Sequence, residues 1–428
     1  MKLAGIFISG FGFALLLSAQ ADLNKDVIQL AQLKRDVAAS LAKLDNYTCV
    51  ETIDRSDRKK SQEPFRHRDT LHLEVAVARN KELFAWPGAE HFEEGDLAGF
   101  VGAGMISSGN FESAIKSVLL DNTSEIHFHG VGEIWGRHAL RWDYKIPYNL
   151  SAWTVNINGR GGRVSETGSF WADAENFQLL RLQSEAGDIP PDLLVASITN
   201  TLDYARVAVH TKDLLLPQSV ELLVTDLKGA ETRNRIEFSQ CHEFSGAASL
   251  SFDQPAPVAQ LPVPAAEFDV PPGLEFSVHL AQAIDSKAAG VGDRITAIFD
   301  APVHYHGSVL IPKGAMLEGR IRRHARYTTP HAHYLVGLEF SAIEFAGKRA
   351  LFTGEMVSIA QVPGLTPALG TSKTITTDFG IGGHVITSSY EDEIPIPIPG
   401  VGAFFMDGSS FLLPQGLRMT WRTTRLRK

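Results

Sequence analysis

The stretch from Leu274 to Met356 constrains the fold more than any other part of the sequence. Apolar and polar residues alternate along most of it, and runs such as Val-Gly-Asp, His-Gly and Pro-Lys-Gly interrupt the alternation. A period of two is typical of strands with one buried face, and Gly- or Pro-containing runs are typical of tight turns. The stretch therefore predicts short antiparallel strands that form a compact β-barrel.

A turn motif within this stretch, in Val309–Ile321, returns near the end of the chain in Phe411–Thr423. Proline fixes one backbone angle and glycine tolerates a positive φ, so each copy predicts a tight turn after which a strand resumes. The duplication indicates that a late strand of the barrel repeats an early one. The motif residues are Pro312, Gly314, Gly319 and Arg320 in the first copy, and Pro414, Gly416 and Arg422 in the second.

Residues 246–272 separate two regions of different character. They are rich in proline, alanine and valine, a composition that favours an extended, stiff spacer. We therefore predict a mainly β protein with two independently folded units. The first, over residues 22–245, is an α+β unit, and the second, over 273–428, is a separate small β-barrel with a long loop at 363–408.

Helices are predicted in the first unit only. The clearest covers Leu23–Leu44, where apolar residues recur every three or four positions. An interrupted helix is predicted over Gly95–Leu120, between strands that run from Asn46 to Phe244. Because the first helix has one apolar stripe, something apolar must cover that stripe, most simply a curved sheet.

The N-terminus has the pattern of an export signal. Lys2 is followed by the apolar run Leu3–Leu17 and by the small-x-small sequence that ends at Ala21. We predict a signal peptide over residues 1–21 with cleavage after Ala21, and a mature protein in the periplasm or associated with the outer membrane. No later apolar run is long enough to predict a transmembrane helix in the mature chain.

The formal net charge of −9 is unevenly distributed. Residues 22–269 contain 24 Lys or Arg and 36 Asp or Glu, whereas residues 270–428 contain 15 and 13. This balance argues against nucleic acid as the main partner. The basic end Arg418–Lys428 has two interpretations. It contacts acidic headgroups or an acidic neighbour, or it is a last strand with solvated arginines, and the second interpretation is favoured.

The two cysteines, Cys49 and Cys241, lie near the two ends of the first unit. In an oxidising compartment an even number of cysteines predicts a disulfide. We expect a bridge between Cys49 and Cys241, and the alternative is a pair of unpaired buried thiols.

Motifs for catalysis are absent: the sequence has no G-x-S-x-G elbow, H-E-x-x-H pair, paired C-x-x-C or phosphate loop. A zinc site needs three or four converging ligands, so we interpret three alternating histidine pairs as solvated and predict no metal, cofactor or enzymatic activity. The alternative is a metal-assisted hydrolase. The pairs are His127 and His129, His304 and His306, and His331 and His333.

The first unit resembles the LolA-like lipoprotein-carrier superfamily. The hairpin Gly168–Leu182, with the acidic turn Trp171-Ala172-Asp173-Ala174-Glu175, is similar to the strand–acidic-turn–strand of that group, and the leading helix and broken helix add to the likeness. The resemblance implies a half-open antiparallel β-barrel closed by helices over an apolar cleft. It also implies that residues 22–245 shelter a lipid or lipoprotein acyl chain, or serve only as a scaffold.

The second unit resembles the C-terminal barrel of the TrbI-like family of conjugation and type IV secretion channels, over about residues 270–428. The matching segments are Ala283–Ser286, Val291–Asp293, Val309–Gly314 and Leu317–Arg320. The chain departs from that family in its alternating prolines between Ile394 and Pro399, which exclude a central strand or helix there.

Together these patterns predict an exported binding or scaffold protein of the cell envelope. Its first unit is expected to hold an apolar ligand and its second to dock to an envelope partner. The alternative is a ring-forming subunit of a secretion or conjugation channel.

Overall fold

The computed structural model describes most of the two predicted units, and the described residues are 25–43, 47–78, 81–89, 92, 97–101, 105–106, 113–157, 160–209, 212–243, 266–328, 331–367 and 398–425. The predicted signal peptide, most of the predicted spacer and residues 368–397 of the predicted long loop lie outside them.

The first unit is built on one antiparallel sheet of ten strands, in the order β3-β2-β1-β12-β11-β10-β9-β8-β5-β4, with a separate hairpin formed by β6 and β7. Its strands are β1 (Tyr47–Arg58), β2 (Arg66–Ala78), β3 (Lys81–Ala85), β4 (Glu125–Ile134), β5 (Arg137–Ile146), β6 (Thr154–Ile157), β7 (Arg160–Arg163), β8 (Ser165–Asp173), β9 (Leu179–Gly187), β10 (Val195–Val209), β11 (Lys212–Asp226) and β12 (Glu231–Glu243). Its helices are α1 (Lys25–Leu41) and α2 (Ser113–Leu119), with short 3-10 turns at Leu97–Phe100 and Pro191–Leu193.

The apolar stripe of α1 is only partly buried. Leu33 and Val37 are fully covered, whereas Val27 and Ile28 near the start of the helix are about half exposed. The interrupted helix predicted over Gly95–Leu120 is present as the turn at Leu97–Phe100 and as α2. Within the described residues of the first unit, the helices therefore add a small apolar cover to a structure that is mostly sheet.

The second unit has a sheet with the path β13-β21-β20-β19-β16-β14-β26-β22, and β24 also pairs with β20 and with β23. Its strands are β13 (Ala266–Glu267), β14 (Glu275–Leu280), β15 (Ile284–Asp285), β16 (Arg294–Phe299), β17 (Val303–Tyr305), β18 (Ser308–Ile311), β19 (Met316–Tyr327), β20 (His333–Phe345), β21 (Lys348–Leu351), β22 (Gly354–Ile359), β23 (Leu365–Pro367), β24 (Val401–Asp407), β25 (Leu412–Leu413) and β26 (Arg418–Thr423).

The second sheet curves until β22 and β24 approach each other, which nearly closes a barrel. Gly402 of β24 lies so close to Met356 of β22 that an added Cβ would be 2.6 Å from the Met356 Cβ. Trp421 fills the interior and has no exposed surface, and its ring contacts Phe340 edge-on at 5.2 Å. The mainly β fold predicted from the alternating pattern is confirmed.

The spacer is not the only connection between the two units, although the sequence predicts no other. Strand β3 covers β2 only from Glu74 to Ala78, so the first half of β2 has a free edge. Val291 of the second unit pairs with that edge: its N–H donates to the Thr70 carbonyl and its carbonyl accepts from the His72 N–H, both at 2.8 Å. A free strand edge favours such pairing.

Candidate functional site

The inner face of the first sheet, which we define as the face that packs against α1 and α2, forms a continuous apolar surface. Alternate residues of the strands point into it, because successive side chains of a strand point to opposite faces. Its fully buried members include Ile53, Leu71, Leu73, Val75, Trp142, Phe170, Leu182, Leu202, Leu216, Val220 and Ile236, with Leu33 and Val37 from α1 and Ile115, Val118 and Leu119 from α2. These residues form the packed apolar core of the first unit.

One carboxyl group lies within this apolar face. Glu51 on β1 has no exposed surface and sits between Phe238 of β12 and Leu73 of β2 in the sheet register. Neither carboxyl oxygen has a hydrogen-bond partner among the described residues. Burial raises the pKa of Glu51 well above its ordinary value of 4.5, and the negative charge of Glu82 raises it further. The site therefore favours the neutral carboxylic acid, which donates one hydrogen bond and accepts others.

Tyr204 on β10 adds a second polar group to the inner face. Its side chain is buried, and its hydroxyl has no hydrogen-bond partner in the described part of the chain. Burial raises the pKa of Tyr204, and the charge of Glu82 raises it again. Because the charge of Glu82 raises the pKa of both Glu51 and Tyr204, the three side chains lie in one region of the first unit.

A different buried carboxyl on the same sheet shows the usual arrangement. Glu166 accepts a hydrogen bond from the Tyr144 hydroxyl at 2.7 Å, and the Ser184 hydroxyl lies 2.7 Å from the same tyrosine oxygen. Buried polar side chains nearly always have such partners. Glu51 and Tyr204 depart from this rule among the described residues, and leaving a buried polar group without a partner costs free energy.

Met105 and Ile106, the described residues just before α2, lie against the sheet, and we call them the cover. The cover is attached to the sheet through the Met105 carbonyl. Arg55 donates to this oxygen at 3.4 Å and Asn234 donates to it at 3.2 Å. Arg55 is itself fixed by two short hydrogen bonds to Asp69, of 2.6 and 2.5 Å. The sheet thus holds the described part of the cover at a defined point, and the rest of that contact is apolar packing around Ile106.

The two cysteines are joined in a disulfide. The bridge links Cys49 of β1 to Cys241 of β12 with a Cα–Cα distance of 4.1 Å across a sequence separation of 192 residues. It therefore ties together the first and last strands of the first unit, which are neighbours in the sheet. Cys49 points into the inner face, one inward position before Glu51.

The sequence contains a signal for Glu51 in the alternation of strand β1, whereas no catalytic or metal-binding motif includes this residue. The inward positions of β1 alternate as Tyr47, Cys49, Glu51, Ile53 and Arg55, and all five are buried. A carboxylate between Cys49 and Ile53 in such a pattern is a charged residue at a core position, which is rarely buried without a partner.

The two copies of the turn motif have the same backbone geometry. Gly314 and Gly416 have φ values of +83° and +84°. In each turn, the residue after the glycine donates its N–H to the proline carbonyl at 3.2 Å, Ala315 to Pro312 and Leu417 to Pro414. The two turns precede β19 and β26 and are structural.

The later residues of the motif differ in their surroundings. Gly319 of β19 allows close strand packing, because an added Cβ would lie 2.0 Å from the Glu339 carbonyl oxygen. Arg422 of β26 pairs with Glu275 and Glu355 at 3.2 and 3.0 Å. Arg320 of β19 instead faces the first unit.

The histidine pairs do not converge, and the described residues contain no group of three or more His, Cys, Asp or Glu side chains that could hold a metal ion. His129 pairs with Asp143 and His331 with Asp407, both on exposed surface. Among the described residues, no helix has the length and apolar character needed to cross a membrane.

The contact between the two units, which we call the junction, contains a histidine–aspartate pair. His72 Nδ1 lies 2.5 Å from a carboxylate oxygen of Asp293, next to the main-chain pairing at Val291. The hydrogen bond with Asp293 raises the pKa of His72, although burial opposes the shift. Nearby, a hydrogen bond from His67 lowers the pKa of Asp54. The junction is therefore strongest when His72 is protonated.

We expect this pair to make the junction pH-dependent. Because the pKa of His72 is raised by folding, its contribution is complete below the ordinary histidine pKa of 6.5 and is lost as pH rises through the raised value. Asp293→Asn is expected to weaken the junction by about 1 kcal/mol at mildly acidic pH, since the pair is partly solvated. The difference from the wild type should disappear at alkaline pH.

The backbone amide of His72 donates to the Val291 carbonyl, so its hydrogen-exchange protection measures the stability of the junction directly. The matched control is Asp300→Asn, which removes a similar pair with His279, 2.7 Å apart, inside the second unit. Equal loss of protection in Asp293→Asn at all pH values would contradict the assignment.

Comparisons with known proteins give a limited result. No family model matches the chain, and no curated protein matches it. One solved structure it is similar to is from Vibrio parahaemolyticus, assigned as an outer membrane lipoprotein-sorting protein domain. That similarity has 9% identity and a TM-score of 0.28, and covers 51% of this chain and 93% of that one.

Two further solved structures are similar over about half of the chain. The LolA superfamily protein NE2245 from Nitrosomonas europaea has 8% identity and a TM-score of 0.25, and the match covers 49% of this chain and 92% of that one. A DUF1329 family protein from Desulfovibrio piger has 11% identity and a TM-score of 0.26, and covers 51% and 94%. With TM-scores this low, the similarities support no conclusion about activity. None of the three is a TrbI-like protein, so that resemblance stays a prediction.

Proposed function

We propose that the first unit binds an apolar ligand, such as a lipid acyl chain, against the inner face of its sheet. The observation that carries this proposal is the completely buried Glu51, which has no hydrogen-bond partner among the described residues and lies within an apolar cluster. In this assignment the neutral Glu51 donates a hydrogen bond to the ligand's polar group, such as an ester or carboxyl oxygen.

Energetics favour a ligand role for Glu51 over a purely structural one. An unpartnered polar group in an apolar interior costs about 1–3 kcal/mol, and an apolar residue at this position would remove that cost. Proteins commonly keep such locally unfavourable groups at functional sites. Tyr204, whose hydroxyl is also without a partner in the described part of the chain, supplies a second contact in the same region.

Binding requires the cover to move, because the described residues of the inner face are already buried. The two hydrogen bonds to the Met105 carbonyl hold the cover at one point, and apolar packing does the rest. Apolar contacts are exchangeable, since an acyl chain can replace the side chains of the cover against the sheet. The cover is therefore the part of the site that we expect to yield to the ligand.

A fluorescent fatty acid whose emission rises in apolar surroundings tests the proposal. We expect saturable binding to the wild type. In Glu51→Leu the affinity should fall about tenfold, since a lost hydrogen bond in an apolar site costs about 1–2 kcal/mol. The matched control is Glu166→Gln, which alters a buried carboxyl that already has a partner. Saturable binding of equal strength in Glu51→Leu would refute the role of Glu51, and no binding at all would refute the site.

We also propose that the protein is exported to the cell envelope, that its second unit docks to an envelope partner, and that it acts by binding instead of catalysis. The signal-like residues 1–21 and the sheet-built second unit support this. Cross-linking in intact envelopes is expected to join the chain to a different protein. A ladder of multiples of its own mass would favour the ring-subunit alternative.

A further inference from the structure

Three arginines of the second unit contact the segment Trp86–Gly88 of the first unit at the junction. Arg294 of β16 and Arg320 of β19 are directly opposite each other in the sheet register. The guanidinium carbons of Arg320 and Arg322 lie 5.3 and 4.9 Å from the ring centre of Trp86, which belongs to the first unit. Arg294 donates hydrogen bonds to the carbonyls of Pro87, at 3.1 Å, and of Gly88.

The described carboxylates neutralise only part of this charge. Glu339 pairs with Arg322 at 2.7 Å. Arg294 bonds to main-chain carbonyls, which carry no net charge. Arg320 has a buried Nη1 with no hydrogen-bond partner among the described residues. Burial lowers the pKa of Arg320 to about 10, the negative charge of Glu339 opposes the shift, and the positive charges of Arg322 and Arg294 add to it. Like charges directly opposite each other on neighbouring strands are destabilising, and among the described residues the cluster carries more positive than negative charge.

A second tryptophan of the protein shows what a purely structural stack looks like. Arg181 lies over the ring of Trp135 at 5.2 Å, and its guanidinium is held by both oxygens of Asp203 at 2.6 and 3.0 Å. There the cation–π contact and the bidentate carboxylate occur together. At Trp86 the cation–π contact is present, but no described carboxylate hydrogen-bonds to Arg320. Glu339, which is opposite Arg320 in the sheet register, hydrogen-bonds to Arg322 instead.

We propose that Arg294, Arg320 and Trp86 form a binding site for a phosphate group at the junction of the two units. Guanidinium groups bind phosphate oxygens in pairs and with fixed geometry, and two of them opposite each other match a doubly charged or bridging phosphate. The phosphate is either free inorganic phosphate or part of a lipid headgroup. The site is distinct from the inner face and does not depend on the function proposed for it.

A phosphate at this place would also join the two units. Arg294 and Arg320 belong to the second unit, while Trp86 and the carbonyls that Arg294 binds belong to the first. A ligand held by these groups stabilises the junction by an amount that depends on its concentration and affinity. Phosphate is therefore expected to increase the protection of the His72 backbone amide from hydrogen exchange. Phosphate that bound to only one of the two units would not have this effect.

Calorimetric titration of the mature protein with inorganic phosphate tests the site. We expect the wild type to bind phosphate and the affinity to fall about tenfold in Arg320→Gln. Arg320→Lys should keep part of the affinity, because lysine keeps the charge without the paired geometry. The matched control is Arg181→Gln, which removes an arginine that is stacked on a tryptophan but already neutralised by Asp203. That variant should bind phosphate as the wild type does.

Co-sedimentation with vesicles distinguishes the two sources. Binding to phosphatidylcholine vesicles only when they contain phosphatidylglycerol, with loss in Arg320→Gln, supports a lipid headgroup, and calorimetric binding alone supports free phosphate. No Arg320-dependent binding in either experiment overturns the proposal. It would mean that the cluster is neutralised within the chain, for which the sequence offers the acidic residues Glu90, Glu93, Glu94 and Asp96.

Discussion

Replacing Glu51 by glutamine or leucine is expected to make the ligand-free protein more stable. The wild-type carboxyl is buried without a described partner, and an unpartnered buried polar group costs about 1–3 kcal/mol. Leucine removes the polar atoms, and glutamine removes the group that must be protonated on folding. We expect Glu51→Leu to gain about 1–3 kcal/mol and Glu51→Gln to gain, at mildly alkaline pH, the free energy that the wild type spends on protonating its carboxyl. Most substitutions of a buried residue instead lose stability.

The pH dependence of this gain identifies its cause. Folding raises the pKa of Glu51 above 4.5, so the wild type is at full stability below that pH and loses stability as pH rises through the raised value. Neither variant titrates at this position. The gap between the wild type and Glu51→Gln should therefore be small in acid and widen with pH, whereas Glu51→Leu keeps part of its gain in acid because it also lacks the unpartnered polar atoms. Denaturant unfolding at several pH values measures both gaps, and a gap for Glu51→Gln that does not change with pH, or a destabilised Glu51→Gln, would show that Glu51 has a structural partner.

Removing the disulfide is expected to have the largest effect on stability. The bridge closes a loop with a sequence separation of 192 residues. The chain-entropy model gives about 5 kcal/mol for a loop of this length. A protein with both cysteines replaced by alanine should therefore unfold at a much lower denaturant concentration, with the loss confined to the first unit.

Tryptophan emission separates the two units in this experiment, because five of the six tryptophans precede residue 246 and Trp421 alone lies in the second unit. Trp421→Phe provides a background in which all emission comes from the first unit. An unchanged unfolding midpoint after loss of Cys49 and Cys241 would contradict the account, and a matching loss in the second unit would show that the two units unfold together.

The sequence predicts the parts of this fold that depend on neighbouring residues. Alternation marks the strands, proline and glycine mark the repeated turns at Gly314 and Gly416, and the cysteine pair brackets the unit that it closes. These features follow from local sequence because strand pleat and turn geometry are local properties.

The junction and the two sites depend on contacts that no local pattern encodes. Val291 reaches β2 because β3 leaves half of that strand uncovered, a consequence of strand lengths set elsewhere. Trp86 and Arg320 are far apart in sequence and meet only because that pairing places β19 against the first unit. Glu51 carries a readable signal in its alternation with Cys49 and Ile53, but only the structure shows that its carboxyl group has no described partner.

Native mass spectrometry of the protein, after exposure to a total lipid extract, tests the central claim most directly. We expect the wild type and Glu51→Gln to carry one bound lipid, because glutamine can still donate a hydrogen bond, and Glu51→Leu to carry much less. Equal lipid on Glu51→Leu and the wild type, or none on the wild type, would contradict the claim that Glu51 anchors an apolar ligand on the inner face.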